Sequence, residues 1–222
     1  MARDLCLQCQ RPIVACICAF IVKTYNKIPV LVLQHPNEVL QSKGTVAILQ
    51  RSLNDCHVLI GENFTDNGEL NDMLAMYQPI LLYPGEQATE LTMACNEEVT
   101  EFTHNAFKHN NTKPCLLIID GTWKKAYRMF MLSKNLHNLK QVCLPTVFAD
   151  NGQYLIRKVN KKNALSSLEA TCYALALLEG ELRTSIFDLA INENSQKIDC
   201  GQYQPLLNKF SQFNQFQLSF RE

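Results

Sequence analysis

Leu116, Leu117, Ile118 and Ile119 lead straight into Asp120, Gly121, Thr122 and Trp123, and the chain's only Trp is followed by Lys124, Lys125 and Arg128. The apolar run, preceded by Pro114, reads as a buried parallel strand, and ligands in such folds sit beyond the carboxyl ends of strands. Asp120 would stand at that mouth, where a carboxylate can take or orient a proton. Its plainer use is as a cap for a helix beginning near Thr122, since Asp and Thr both accept a backbone N–H well. The Trp and three cations that follow are more than a cap requires.

A second group is closer packed in sequence. Cys6, Cys9, Cys16 and Cys18 form C-x2-C-x6-C-x-C, with Arg11 and Pro12 in the connecting turn. Two close thiolate pairs can close a tetrahedral shell, and zinc is the usual occupant in a reducing compartment. Four thiolates leave no position for water, so the expected site is structural. Two disulfides or an iron–sulfur cluster are the competing readings. Such a knuckle can contact nucleic acid or pin a terminus to the core.

Two lesser groups carry less. His35 with Glu38 offers acid–base or metal chemistry, but His-Pro at a strand end is first of all a turn. Lys43, Gly44 and Thr45 resemble the end of a phosphate loop without its earlier glycine, which argues against nucleotide hydrolysis.

Strand-like runs alternate with helix-like stretches, as in an α/β layer structure. Strands are expected over 28–34, 57–61, 79–83, the run ending at Asp120, and 141–144. Helices are expected over 46–53, 70–77, after Thr122, and over 164–179 with Gly180 as the stop; 104–113 reads as a polar loop. The tail, with Phe210, Phe213, Phe216 and Phe220, reads as a docked helix. This gives a knuckle over 1–25, an α/β domain over 26–195 and a C-terminal helix over 196–222.

With 222 residues, 47% of them hydrophobic, the chain can bury one sizeable core. It contains no apolar run long enough to cross a bilayer, and its first residues lack the pattern of a signal peptide. Six cysteines are scattered singly, as buried reduced thiols are, and a cytoplasmic location is expected. The formal charge is zero but unevenly spread. Glu62 to Glu101 holds nine acids and no Lys or Arg, whereas Gly121 to Lys162 holds nine Lys and Arg against one acid, Asp150. Lys124, Lys125, Arg128, Arg157, Lys158, Lys161 and Lys162 could line a track for a polyanion. A solvated basic face is the plainer alternative.

Taken in order, the cysteine quartet, QHPNE, LLYPGE, LLIIDGTWKKAYRM and ALSSLEA resemble the DTW-domain family of tRNA-uridine aminocarboxypropyltransferases over nearly the whole chain. Asp120, Gly121, Thr122 and Trp123 fill the Asp-x-Thr-Trp signature. Leu165 to Ala170 fill a second, L-S-T-x-E-A, with Ser167 in place of the usual Thr. The resemblance implies a SPOUT-like knotted α/β domain that uses S-adenosylmethionine, the cofactor lying bent between loops corresponding to Tyr83, Pro84 and Gly85, to Thr122 and Trp123, and to Leu165, Ser166, Ser167 and Glu169.

It also implies transfer of the 3-amino-3-carboxypropyl group to N3 of a tRNA uridine, with release of methylthioadenosine. Asp120 would accept the N3 proton or orient it. A fully hydrated carboxylate is a weak base, so that role calls for Asp120 to be partly withdrawn from water. Trp123 would help turn the methyl group away. A SPOUT-type RNA methyltransferase, an aminocarboxypropyltransferase acting on ribosomal RNA, and a zinc-knuckle RNA-binding protein without catalysis are the alternatives. No membrane partner is expected, and monomer and homodimer are both compatible.

Overall fold

Val30 to Gln34 is buried along its whole length, and so is most of Lys113 to Asp120, which is what a strand covered by helices on both faces demands. In the computed structural model, which describes residues 4–91, 113–150, 165–183 and 198–221, these two strands lie side by side near the centre of a six-stranded sheet. The strands are β1 (Val30–Gln34), β2 (Cys56–Ile60), β3 (Tyr77–Leu82), β4 (Thr89–Glu90), β5 (Lys113–Asp120) and β6 (Lys140–Cys143). Every pairing is parallel, in the order β2-β1-β5-β3-β6-β4.

The helices are α1 (Val46–Ser52), α2 (Gly68–Met76), α3 (Trp123–Leu132), α4 (Thr146–Asp150), α5 (Ser167–Leu178) and α6 (Gln204–Leu218). Alternation along the strands divides the core in two. Val30, Val32, Leu116 and Ile118 pack with Ile48 of α1, Leu175 of α5 and Phe210 of α6. Leu31, Leu33, Leu81 and Leu117 pack with Leu70 of α2 and Met129 of α3. The result is a three-layer α/β/α arrangement. None of the described helices is long and apolar enough to cross a membrane.

The cysteine-bearing N-terminus joins the first of these cores. Ile17 is fully buried and Cys9 nearly so, and Phe20 packs edge-on against Phe213 and tilted against Phe216 of α6, at 5.4 and 5.2 Å between centroids. The knuckle therefore pins the chain's start to its last helix.

Gly180, with φ of 69°, ends the region after α5 as expected, in a conformation glycine adopts freely. Just before it, Glu179 forms a latch: its carboxylate accepts the backbone N–H groups of Lys27 and Ile28 at 2.8 and 2.9 Å, the Tyr203 hydroxyl at 2.7 Å and the Gln202 amide at 3.0 Å. Burial pushes this carboxyl above its ordinary range, and the donors pull it back. Glu179→Ala would strand four donors that join the end of α5, the approach to β1 and the start of α6. A loss of about 2 to 4 kcal/mol in denaturant unfolding is expected, and a stability equal to wild type would show the latch to be idle.

Candidate functional site

Asp120 is the last residue of β5, opposite Gln34 at the end of β1. Polar side chains close in on it from two other elements. Gln34 Nε2 donates to Asp120 Oδ2 at 2.9 Å, and Ser167 Oγ, in the first turn of α5, donates to Asp120 Oδ1 at 2.5 Å. The backbone N–H of His35 donates to the Asp120 carbonyl at 3.0 Å. Asp120 is only 9% exposed.

The helix after it is not capped by Asp120. Thr122, extended at φ −63° and ψ 156°, is the N-cap of α3 and accepts the Lys125 backbone N–H at 3.4 Å, so α3 starts at Trp123. Both residue types cap helices, and sequence could not choose between them. The choice of Thr122 leaves the Asp120 carboxylate to Gln34 and Ser167. Pro114 does not precede the strand but lies inside it, because β5 reaches back to Lys113.

The second signature divides its labour. Ser166 caps α5 in a capping box: its hydroxyl accepts the Glu169 N–H at 3.2 Å, and Glu169 Oε2 accepts the Ser166 N–H and hydroxyl, each at 2.8 Å. Glu169 is fully buried. The box fixes the first turn of α5 so that Ser167 points at Asp120. Leu165 precedes it, half-buried.

On the other side of β5, Leu82 of β3 is in register with Ile118, so Tyr83, Pro84 and Gly85 leave the sheet beside the end of β5. Tyr83 is held by stacking on Phe130 of α3, with centroids 4.8 Å apart and planes at 17°. Tyr83 to Gly85, Asp120 to Trp123 and Ser167 all follow or face the carboxyl ends of β3 and β5. There the strand order runs from β1 outward to β2 on one side and to β3 on the other, with β5 between β1 and β3.

Around this centre runs a set of ion pairs. Lys125 Nζ meets Glu38 Oε1 at 2.9 Å, with the Glu38 side chain only 4% exposed. Glu62, which follows β2, receives His35 Nε2 at 2.7 Å and Arg128 at 3.5 Å. His35 Nδ1 accepts the Asn37 N–H at 3.1 Å, opening the turn Pro36–Glu38, so the ring proton lies on Nε2 and is donated to Glu62. The turn reading of His35 holds, and the ring also steadies Glu62.

Glu62, at the start of the acidic stretch, thus meets Arg128 of the basic one. Of the expected phosphate-binding cations, Lys125 and Arg128 already face carboxylates, whereas Lys124 is exposed and has no ion-pair partner among the described residues. Arg157, Lys158, Lys161 and Lys162 lie outside the described residues. Gln34 and Glu62 were missed in the sequence. Gln34 left a signal, a polar residue closing the otherwise apolar run Val-Leu-Val-Leu-Gln.

The four cysteines come together as their spacing suggests. All four Sγ atoms lie within 4.8 Å of one another, with Cys6–Cys18 and Cys9–Cys16 at 3.7 Å. A tetrahedral shell with Zn–S bonds of about 2.3 Å has edges of about 3.8 Å, so the cluster can hold a metal ion of that size. All four thiols are free, against the disulfide alternative. The Cys6 thiol is drawn down to about 6, chiefly by the backbone N–H of Cys9, while burial and the other three sulfurs push Cys18 up to about 12. Metal binding would replace the protons that the quartet retains.

The model of the DTW domain matches residues 3–218. The chain belongs to the DTW domain family. This DTW-domain protein is similar to tRNA-uridine aminocarboxypropyltransferase 2 of Drosophila melanogaster, 33% identical over 193 residues that cover 83% of this chain and 71% of the fly protein. Relatives of the same name from Macaca fascicularis and Mus musculus are each 31% identical over 183 residues, covering 80% of this chain. The chain spans 57% of the length of each of those two mammalian proteins. No solved structure matches.

Proposed function

We propose that this DTW-domain protein transfers the 3-amino-3-carboxypropyl group of S-adenosylmethionine to N3 of a tRNA uridine. The observation that carries this reading is the meeting of the family's two signatures on one buried carboxylate: Ser167 holds Asp120 across 47 positions of sequence. The relatives bear the name of that activity over most of this chain. Alternation of six parallel strands with helices is compatible with a SPOUT-like knotted domain, which we propose on the family resemblance.

When bound, S-adenosylmethionine supplies a sulfonium that activates the carbon to be transferred and departs as methylthioadenosine. The residues present suit it: Tyr83, Pro84 and Gly85, Thr122 and Trp123, and Leu165 to Ser167 border the carboxyl ends of the central strands, with Glu169 shaping the last loop through its capping box. Asp120 takes or orients the proton of uridine N3, and Gln34 and Ser167 hold its two oxygens in a fixed direction. Zinc in the cysteine quartet is structural, since four thiolates leave no place for substrate. The nine described cysteines are all free thiols, which suits the cytoplasm.

Incubation with unmodified tRNA and S-adenosylmethionine, followed by mass analysis of the digested RNA, tests the function. A uridine that gains the aminocarboxypropyl group is expected; a gain of methyl, or no covalent change, would overturn the reading. Binding should depend on Lys124. Lys124→Gln is expected to flatten the plot of log affinity against log salt by about 0.7 to 0.9, as loss of one phosphate contact does. Lys125→Gln should instead lower the thermal midpoint, because it removes the cation facing buried Glu38. An unchanged slope for Lys124→Gln would place the RNA backbone elsewhere.

A further inference from the structure

Helix α3 begins three positions past Asp120, burying Ala126 and Met129 and turning large apolar side chains outward. Trp123, Tyr127 and Met131, four apart and so on one face, are 52%, 58% and 50% exposed. A contiguous exposed apolar strip of this kind marks a contact surface. Lys124 and Arg128, again four apart, form the adjoining ridge. Lys124 has no ion-pair partner among the described residues, and the Arg128 side chain, 69% exposed, makes only a loose 3.5 Å contact with Glu62. Tyr83, in the loop after β3, stacks on Phe130 of the same helix.

We propose that this strip is a stacking platform for unpaired tRNA nucleotides next to the target uridine, with base faces on Trp123 and Tyr127 and phosphates along Lys124 and Arg128. The inference rests on the transfer reading above. Its occupant follows from the chemistry. N3 lies on the pairing edge of uridine, so a uridine attacked there is unpaired, and its neighbours in a loop present free ring faces. A duplex hides those faces, whereas aromatic rings interleaved with cations suit a single strand and tolerate any base. A purely apolar partner would have no use for the Lys124–Arg128 ridge.

Trp123, as the only Trp, is an internal probe. Titration with a single-stranded oligouridylate is expected to quench its emission saturably, and a duplex RNA of equal length to quench it far less. Tyr127→Ala should weaken oligouridylate affinity roughly 5- to 100-fold, as loss of one stacked base does, and Tyr127→Phe should restore it. Met131→Ala, at the far end, should weaken it less. Tyr127 is exposed, so its variants should melt as wild type does. Wild-type affinity in Tyr127→Ala, or equal quenching by duplex, would overturn the proposal. So would a dimer in sedimentation that Tyr127→Ala dissociates, which would give the face to a second copy of the chain. The oligouridylate is read without turnover, so absence of aminocarboxypropyl transfer by wild type would refute the catalytic reading alone.

Discussion

Asp120→Asn is expected to remain folded and to bind S-adenosylmethionine, yet to transfer on the order of 10²- to 10⁴-fold more slowly, the loss that follows removal of a positioned proton acceptor. Asparagine fills the same volume. Its amide oxygen can still accept from Ser167, and Gln34 can turn its own amide to face the new NH2 group, so the three side chains stay bonded. What disappears is the charge. Ser167→Ala should show a smaller fall in kcat with little change in KM for S-adenosylmethionine, because one anchor of the carboxylate is lost. Ser167→Thr, which restores the hydroxyl usual in the family, should recover it. Cofactor affinity is to be measured by calorimetry apart from turnover, and full turnover by Asp120→Asn would remove Asp120 from the reaction.

Purified protein should carry close to one zinc per chain, and Cys6→Ser or Cys16→Ser should abolish retention through dialysis. Such variants lose more than a ligand. The quartet fixes the segment that places Cys9, Ile17 and Phe20 in the core, and Phe20 is the contact between that segment and α6. Structural zinc binding is worth about 10 to 16 kcal/mol in isolated zinc-finger peptides, and even a third of that lowers the melting point by about 10 °C for a chain of this size. Elemental analysis and thermal melting with and without chelator decide it. A protein free of metal, with unchanged melting, would show that four thiols alone keep the knuckle.

The sequence revealed the motif-bearing segments better than their partners. Asp120 at a strand end, the cysteine spacing and the helix around Leu168 to Leu177 all follow from local pattern, since each depends on neighbours within a few residues. Strand limits moved where proline intervened: Pro79 and Pro114 sit inside β3 and β5, although proline ordinarily argues against a central strand. Two-residue β4 is too short to show a period. Gln34 and Glu62 escaped notice because their value comes from contacts 86 positions away, to Asp120, and across the sheet edge, to Arg128. The basic stretch read as uniformly available for phosphate, yet Lys125 and Arg128 face carboxylates drawn from elements far off in sequence.

The position of β5 bears on how the protein acquires activity during its synthesis. β1 and β3 leave the ribosome before β5, but they do not pair with each other; β5 must lodge between them. Until it does, both earlier strands expose unpaired edges, and the barrier is that of closing long loops around parallel partners. Asp120 is the last residue of the inserted strand, and Ser167 is made later still. The reactive centre is therefore among the last parts to form. Substitutions that slow insertion of β5 should lower the yield of active enzyme and raise aggregation in cells, while molecules that do mature keep normal turnover.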